Sequence, residues 1–171
     1  MKAELYWIPG PWSGRLAIMP RPRGGDWLED EIRSWRAVGV DIVISALEPE
    51  EMNELDLTKE AELAKAQGIE YVSFPIPDRG VPSSTRATAD VLRPLERMLG
   101  QGKGVAVHCR QGIGRSAMLA AGLLVLGGVG SQEALERIQK SRGCSVPDTP
   151  EQAQWVVRFA KDMGKAVSKV S

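Results

Sequence analysis

Short aliphatic and β-branched runs alternate along this chain with longer segments whose apolar residues recur every three to four positions. The first pattern suits strands packed on both faces, the second helices that bury one stripe. Runs from Glu4 to Ile8, Arg15 to Met19, Asp41 to Ala46, Glu70 to Ile76 and Gly104 to Cys109 predict five strands. Within the last, Val105-Ala106-Val107 has no polar face and reads as fully buried. The first two runs are too close for a crossover and predict an antiparallel edge hairpin around Pro9-Gly10-Pro11.

Helices are predicted from Asp26 to Ala37, Thr58 to Gln67, Ser83 to Leu99, Gly114 to Leu126, Ser131 to Arg142 and Thr149 to Lys165. Asp26 with Glu29 three residues on reads as a capping box, and Gly39 as the stop. Ser131 before Gln132-Glu133, and Thr149 before Pro150, are further start signals. No repeat, low-complexity tract or linker interrupts the order, and Pro20 to Gly25 is a loop. Residues 1–171 therefore read as one α/β domain, a central, mostly parallel five-stranded sheet flanked by about six helices.

Composition narrows the chemistry. The 22 Lys and Arg balance 22 Asp and Glu, so the chain lacks the cationic surplus that general nucleic-acid binding needs. One His and two Cys cannot assemble a Cys₄ or Cys₂His₂ zinc site, nor a disulfide framework, which fits a reducing compartment. The longest uncharged apolar stretch, Ala117 to Gly130, is too short for a bilayer and reads as a buried helix. Glu4, Pro9, Pro11 and Arg15 interrupt anything like a signal-peptide apolar region, and the expected location is cytoplasmic, with no membrane span.

The buried strand runs directly into His108-Cys109-Arg110-Gln111-Gly112-Ile113-Gly114-Arg115-Ser116 and then into an apolar helix. Gly112 and Gly114 permit the backbone turns that point successive N–H groups into one concavity, and the helix N-terminus adds its positive end. Residues Arg110 to Arg115 are thus the predicted phosphate cradle, with Arg115 offering a planar fork to two phosphate oxygens. Phosphate or sulfate is the expected occupant. Cys109 lies under the same donors, so its thiolate is stabilised as a nucleophile, and the Ser116 hydroxyl can donate to the sulfur. A general acid is also needed, and Asp78 stands in a Pro/Gly-flanked loop after a predicted strand, where parallel-sheet sites gather. A turn or capping Asp is the alternative there, and Asp90 falls within a helix pattern.

His-Cys, five residues, then Arg-Ser resembles the signature loop of the protein tyrosine phosphatase superfamily. Phe74-Pro75-Ile76-Pro77-Asp78-Arg79-Gly80-Val81-Pro82-Ser83, with Arg142-Gly143 and Val146 to Gln152, resembles small bacterial relatives of the atypical dual-specificity phosphatases. The resemblance implies a phosphatase-type fold and a cysteine-dependent phosphomonoester hydrolase using a phosphocysteine intermediate, with Asp78 as general acid and no metal or other cofactor. It implies a phosphorylated protein or peptide substrate carrying phosphotyrosine, phosphoserine or phosphothreonine, within a family whose substrates also include phosphoinositides and RNA 5′ phosphates; the sequence does not choose among them. In similar enzymes the Thr-x-x-Gln segment lies beside the signature loop, so Gln152 is expected to position water or substrate; a solvated first-turn residue is the other reading. His108 is expected to order the loop through hydrogen bonds. Two rivals remain: a non-catalytic phosphate-recognition module, and a rhodanese-like or arsenate-reductase-like thiol enzyme, which thiosulfate sulfurtransferase activity would reveal.

Weaker signals surround this core. Ser45 to Glu51 reads as an acidic loop on the same rim, with Glu48 either solvated or steering substrate. Trp7 and Trp12 either wall the pocket or pack on the edge strand, while Trp27, Trp35 and Trp155 fall at core positions of helices. Cys144 is either a free thiol or a disulfide partner for Cys109, and Arg79 and Arg110 add positive charge if their loops converge.

Overall fold

The alternating runs fold into a sheet of five strands, β1 (Tyr6–Ile8), β2 (Arg15–Met19), β3 (Ile42–Ser45), β4 (Glu70–Ser73) and β5 (Gly104–His108), in the order β1-β2-β5-β3-β4. Among the described residues only β1 and β2 pair antiparallel; β2 and β3 flank β5 in parallel, and β4 pairs in parallel with β3 at the far edge. The computed structural model describes residues 3–170, with side chains through residue 164, so residues 1, 2 and 171 of the expected domain lie outside the described part. Among the described residues there are seven α-helices: α1 (Leu28–Ala37), α2 (Pro49–Glu54), α3 (Glu60–Ala66), α4 (Thr85–Gly100), α5 (Arg115–Leu126), α6 (Ser131–Arg142) and α7 (Pro150–Val170). None is long and apolar enough to cross a membrane.

β5 is central, and its side chains alternate between two cores. Val105 and Val107 pack with Leu16, Ile18, Leu119 and Phe159 on the face covered by α4 to α7. Ala106 packs with Ala17, Val43, Ile32, Trp35 and Ala64 on the face covered by α1 and α3. This period of two sends His108 toward α1 and α3 and Cys109 toward α5. α5 is buried from Arg115 to Leu124, which explains an apolar segment with no polar stripe.

Five expectations change. The acidic segment after β3 is a helix, α2, whose N-cap Glu48 forms a capping box with Glu51, with Pro49 in the first turn; Glu48 caps and does not line the cavity described below. Asp26 forms no capping box, because residues Gly25–Trp27 make a 3₁₀ turn and α1 starts only at Leu28. Trp27 is therefore not core: it is 54% exposed beneath the Arg23 guanidinium. β4 ends at Ser73, before Pro75 and Pro77, which have no N–H for the ladder. β1 starts only at Tyr6, since Leu16, Ala17 and Ile18 of β2 pair with Ile8, Trp7 and Tyr6.

Trp155 and Phe159 stack on α7 with ring centroids 5.1 Å apart, both essentially buried in the core beneath α5. Phe159→Ala should cost about 3–5 kcal/mol, the loss of an aromatic core side chain plus its cavity. The check is the urea midpoint of unfolding, which should fall with an unchanged slope.

Candidate active site

β5 delivers the chain to a loop that must turn through an unusual path before α5 begins. Gly112 has φ +72°, and a Cβ there would lie 2.6 Å from the Met19 carbonyl carbon, so only glycine fits. At Gly114, the N-cap of α5, a Cβ would lie 2.9 Å from Gln152 Oε1. From outside, Arg142 donates to the carbonyls of Gln111 and Gly112, each at 3.2 Å, while its guanidinium lies over the Tyr6 ring. These carbonyls are thereby tied back and the loop N–H groups are left for the interior.

Cys109 is 3% exposed at the floor of this loop. Burial pushes its thiol pKa up, yet the Ser116 hydroxyl and the N–H groups of Ser116, Gly112 and Ile113 more than reverse this and hold it below the usual thiol range. Cys109 Sγ and Ser116 Oγ are 3.3 Å apart. The cavity above is lined by Asp78, Arg79 and Cys109, by Arg110, Gln111, Ile113, Gly114 and Arg115 of the loop, and by Asp148 and Gln152. Gly112 and Ser116 support the loop without lining that cavity.

Arg115 is 3% exposed, and its two terminal nitrogens form a fork onto Glu51, Nη1 to Oε1 at 2.6 Å and Nη2 to Oε2 at 2.9 Å. Nη1 also donates to the Ile76 carbonyl at 3.0 Å, and Nη2 lies 3.3 Å from Asp78 Oδ1. Burial opposes the charge on both partners; for Glu51 the Arg115 bonds and charge outweigh it and keep the carboxyl below its ordinary range. Glu51 is the functional residue that sequence reasoning missed. Its signal was the Glu48-Pro49-Glu50-Glu51 pattern, legible as a helix start; nothing local showed that the same carboxylate reaches Arg115.

Asp78 is exposed at the mouth of the cavity, and its loop is held on both sides. Arg115 binds Ile76 before it, and Gln152 Nε2 donates to the Gly80 carbonyl after it at 3.0 Å. Arg79 has φ +60°, an uncommon value for a side-chain-bearing residue, and Gly80 N–H closes a tight turn onto the Pro77 carbonyl. Gln152 is fully buried, so the solvated reading is excluded. Its Oε1 accepts the N–H groups of Asp148 and Thr149, while Thr149 Oγ1 accepts the Gln152 N–H.

At the rim, Arg79 pairs with Asp148 at 3.2 Å and Arg110 with Glu54 at 3.4 Å, so both expected cations reach the cavity, each with a carboxylate beside it. Asp90 lies exposed on α4, outside the lining. Trp12 donates to Glu96 and Trp7 lies under the Arg15 guanidinium, so both pack at the sheet edge and neither walls the cavity. Cys144 and Cys109 are both free thiols, and Cys144 does not line the cavity. Behind the loop, His108 is fully buried; Nε2 lies 2.6 Å from Glu60 Oε2 and Nδ1 3.2 Å from the Cys109 carbonyl oxygen.

Comparison with known proteins places this geometry. Cyclin-dependent kinase inhibitor 3 of Sus scrofa is 24% identical over 143 residues, 82% of this chain and 67% of that protein. Its Rattus norvegicus counterpart is 27% identical over 63% of this chain and 51% of its own length. The chain thus spans about half to two thirds of these relatives. Among solved structures, kinase associated phosphatase (KAP), with serine replacing its catalytic-site cysteine, superposes with a TM-score of 0.86 at 18% identity, covering 96% of this chain and 97% of that one, a likeness of fold. Tk-PTP in its active form is 26% identical with a TM-score of 0.74, over 95% of this chain and 99% of its own. The family model described as "Polymorphic toxin system, DSP-PTPase phosphatase" (Tc-R-P) matches residues 17–129, from β2 through α5. The chain belongs to this DSP-PTPase family, within the protein tyrosine phosphatase superfamily, and is a phosphatase of the atypical dual-specificity kind.

Proposed function

We propose that this phosphatase hydrolyses phosphomonoesters through a phosphocysteine formed on Cys109, with Asp78 as general acid. The observation that carries the reading is the convergence on one cavity of a buried, hydrogen-bonded thiol, the Arg115 fork and an exposed carboxylate 3.3 Å from that fork. In the first step the thiolate sulfur bonds to phosphorus as the ester bond breaks, and Asp78 gives its proton to the leaving oxygen. The loop N–H groups and Arg115 hold the equatorial oxygens as charge spreads over them. In the second step Asp78 takes a proton from water as the water oxygen attacks phosphorus, and the sulfur leaves as thiolate, favoured by the Ser116 hydroxyl. Gln152 holds the Asp78 loop from the α7 side and lines the same cavity.

The two steps call for no metal, since positive charge is supplied by Arg115 and the loop dipoles. A binding module would have no use for Asp78 beside the fork, and a sulfur- or arsenate-handling enzyme no use for an acid at the leaving oxygen. The substrate we favour is a phosphorylated protein or peptide. The cavity around Cys109 is walled mainly by charged and polar side chains among the described residues, and phosphoserine and phosphothreonine stand beside phosphotyrosine as its candidate substrates. PTPMT1, a structural neighbour at 23% identity, has been solved in complex with PI(5)P, and phosphoinositides therefore belong in the same screen. A thiol nucleophile of this kind works in a reducing compartment, which fits the cytoplasm.

Cys109→Ser should abolish hydrolysis of an aryl phosphate, by about 10³-fold or more in kcat, while substrate binding is kept; the assay includes a metal chelator. Full activity of that variant would sink the mechanism. Asp78→Ala should lower kcat by about 10²–10⁴-fold for alkyl phosphates and much less for nitrophenyl phosphate, whose leaving group needs no proton. Glu51→Gln should lower kcat/KM by about 10–100-fold, because Arg115 loses its paired acceptor and the transition state an aligned fork. The lowered Cys109 pKa sets the acidic limb of kcat/KM: activity is lost as pH falls through it, and Ser116→Ala should move that limb to higher pH.

A further inference from the structure

A buried contact between a carboxyl and an imidazole lies behind Cys109, on the α1 and α3 face of the sheet. Glu60, the first residue of α3, and His108, the last of β5, are both fully buried, with Oε2 and Nε2 2.6 Å apart. Glu60 Oε1 has no hydrogen-bond partner among the described residues. A carboxylate removed from water with one oxygen unpartnered is costly, and an apolar side chain would fill the same space at less cost. Both imidazole nitrogens face acceptors: Nε2 meets the carboxylate and Nδ1 the Cys109 carbonyl at 3.2 Å. A neutral ring beside an ionised Glu60 would set a lone pair against one of these oxygens, whereas an imidazolium donates to both.

The surrounding groups agree. From α1 the Trp35 ring packs at 6.1 Å from the imidazole, supplying no competing charge. From β4, Tyr71 feels the same carboxylate, its hydroxyl pushed up to about 12 by burial first and then by the Glu60 charge. Burial alone would lower the His108 pKa, but the Glu60 charge and hydrogen bond, with the Cys109 carbonyl, raise it. On the loop side stands Cys109, with the Ser116 hydroxyl and the Arg115 guanidinium, itself paired with Glu51 and Asp78.

We propose that Glu60 is a positioning residue of this active site: it holds His108 as an imidazolium whose Nδ1–H anchors the Cys109 carbonyl and whose charge favours the thiolate. The inference rests on Cys109 being the nucleophile. The imidazolium keeps its proton throughout the reaction, and Glu60 touches neither substrate nor phosphorus.

His108 is the only histidine in the chain, so imidazole nitrogen resonances of untagged, isotope-labelled protein report it alone. Near neutral pH the wild-type ring should show both nitrogens protonated, and Glu60→Gln should show a neutral ring. Iodoacetamide alkylation of Cys109, resolved from Cys144 by mass spectrometry, should then give a thiolate pKa about one unit higher in Glu60→Gln, or about tenfold slower alkylation at pH below both values. His108→Asn should give a similar shift, and the double variant no more than either single one. A neutral ring in the wild type, with the proton on Glu60, overturns the proposal, as does an unchanged alkylation profile in folded Glu60→Gln. If that variant does not fold, the wild-type resonances alone decide. None of these readouts uses a substrate, so they stand apart from hydrolysis by Cys109→Ser, which tests the nucleophile.

Discussion

An arginine with 3% of its surface exposed must keep its charge, and the two-oxygen grip of Glu51 is what permits it. The fork and its partners tie together three parts of the chain that are far apart in sequence. Arg115 opens α5, Glu51 lies on α2 and Ile76 precedes the acid loop. Without the carboxylate, a guanidinium in this position would be a buried charge with one carbonyl and an exposed Asp78 for company. With it, the fork faces the cavity at a fixed angle, and the Asp78 loop is anchored to the Cys109–Arg115 loop by the same side chain.

A second set of bonds holds the loop from the other side. Gln152 joins the Gly80 carbonyl to the first turn of α7, and Arg142 binds the carbonyls of Gln111 and Gly112 from the end of α6. Every helix on the α4 to α7 face except α4 thus contributes to the cradle, α5 by starting in it. The sulfur at its centre receives one hydroxyl and three backbone N–H groups, enough to overcome the penalty of its own burial. The site is a small volume in which charges are separated from water and balanced by short bonds, so it needs a rigid sheet end to hold them.

Much of this was legible along the chain. The five strands, the edge hairpin and the helices α1 and α3 to α7 follow from hydrophobic periodicity, and their observed edges moved by only a few residues. The Cys109 to Ser116 run announced its chemistry because its neighbours in sequence are its neighbours in space: a strand, a glycine turn and a helix start need no long-range contact to define them. The position of Asp78 at the cavity was legible for a related reason, since parallel strands bring their C-terminal loops to one rim. Trp27 went wrong because helical periodicity does not tell whether a terminal turn becomes 3₁₀ and faces out.

The chain by itself thus determined that a thiol, a hydroxyl, a guanidinium and a row of amides, the groups of the proposed chemistry, stand together within one local turn. Tertiary structure alone decided what keeps them charged and aimed. Glu51, Glu60 and Arg142 reach their partners across 30 to 64 sequence positions, from α2, α3 and α6. A local pattern carries no information about such partners, because a buried charge finds its counter-charge by the packing of elements and not by spacing along the chain.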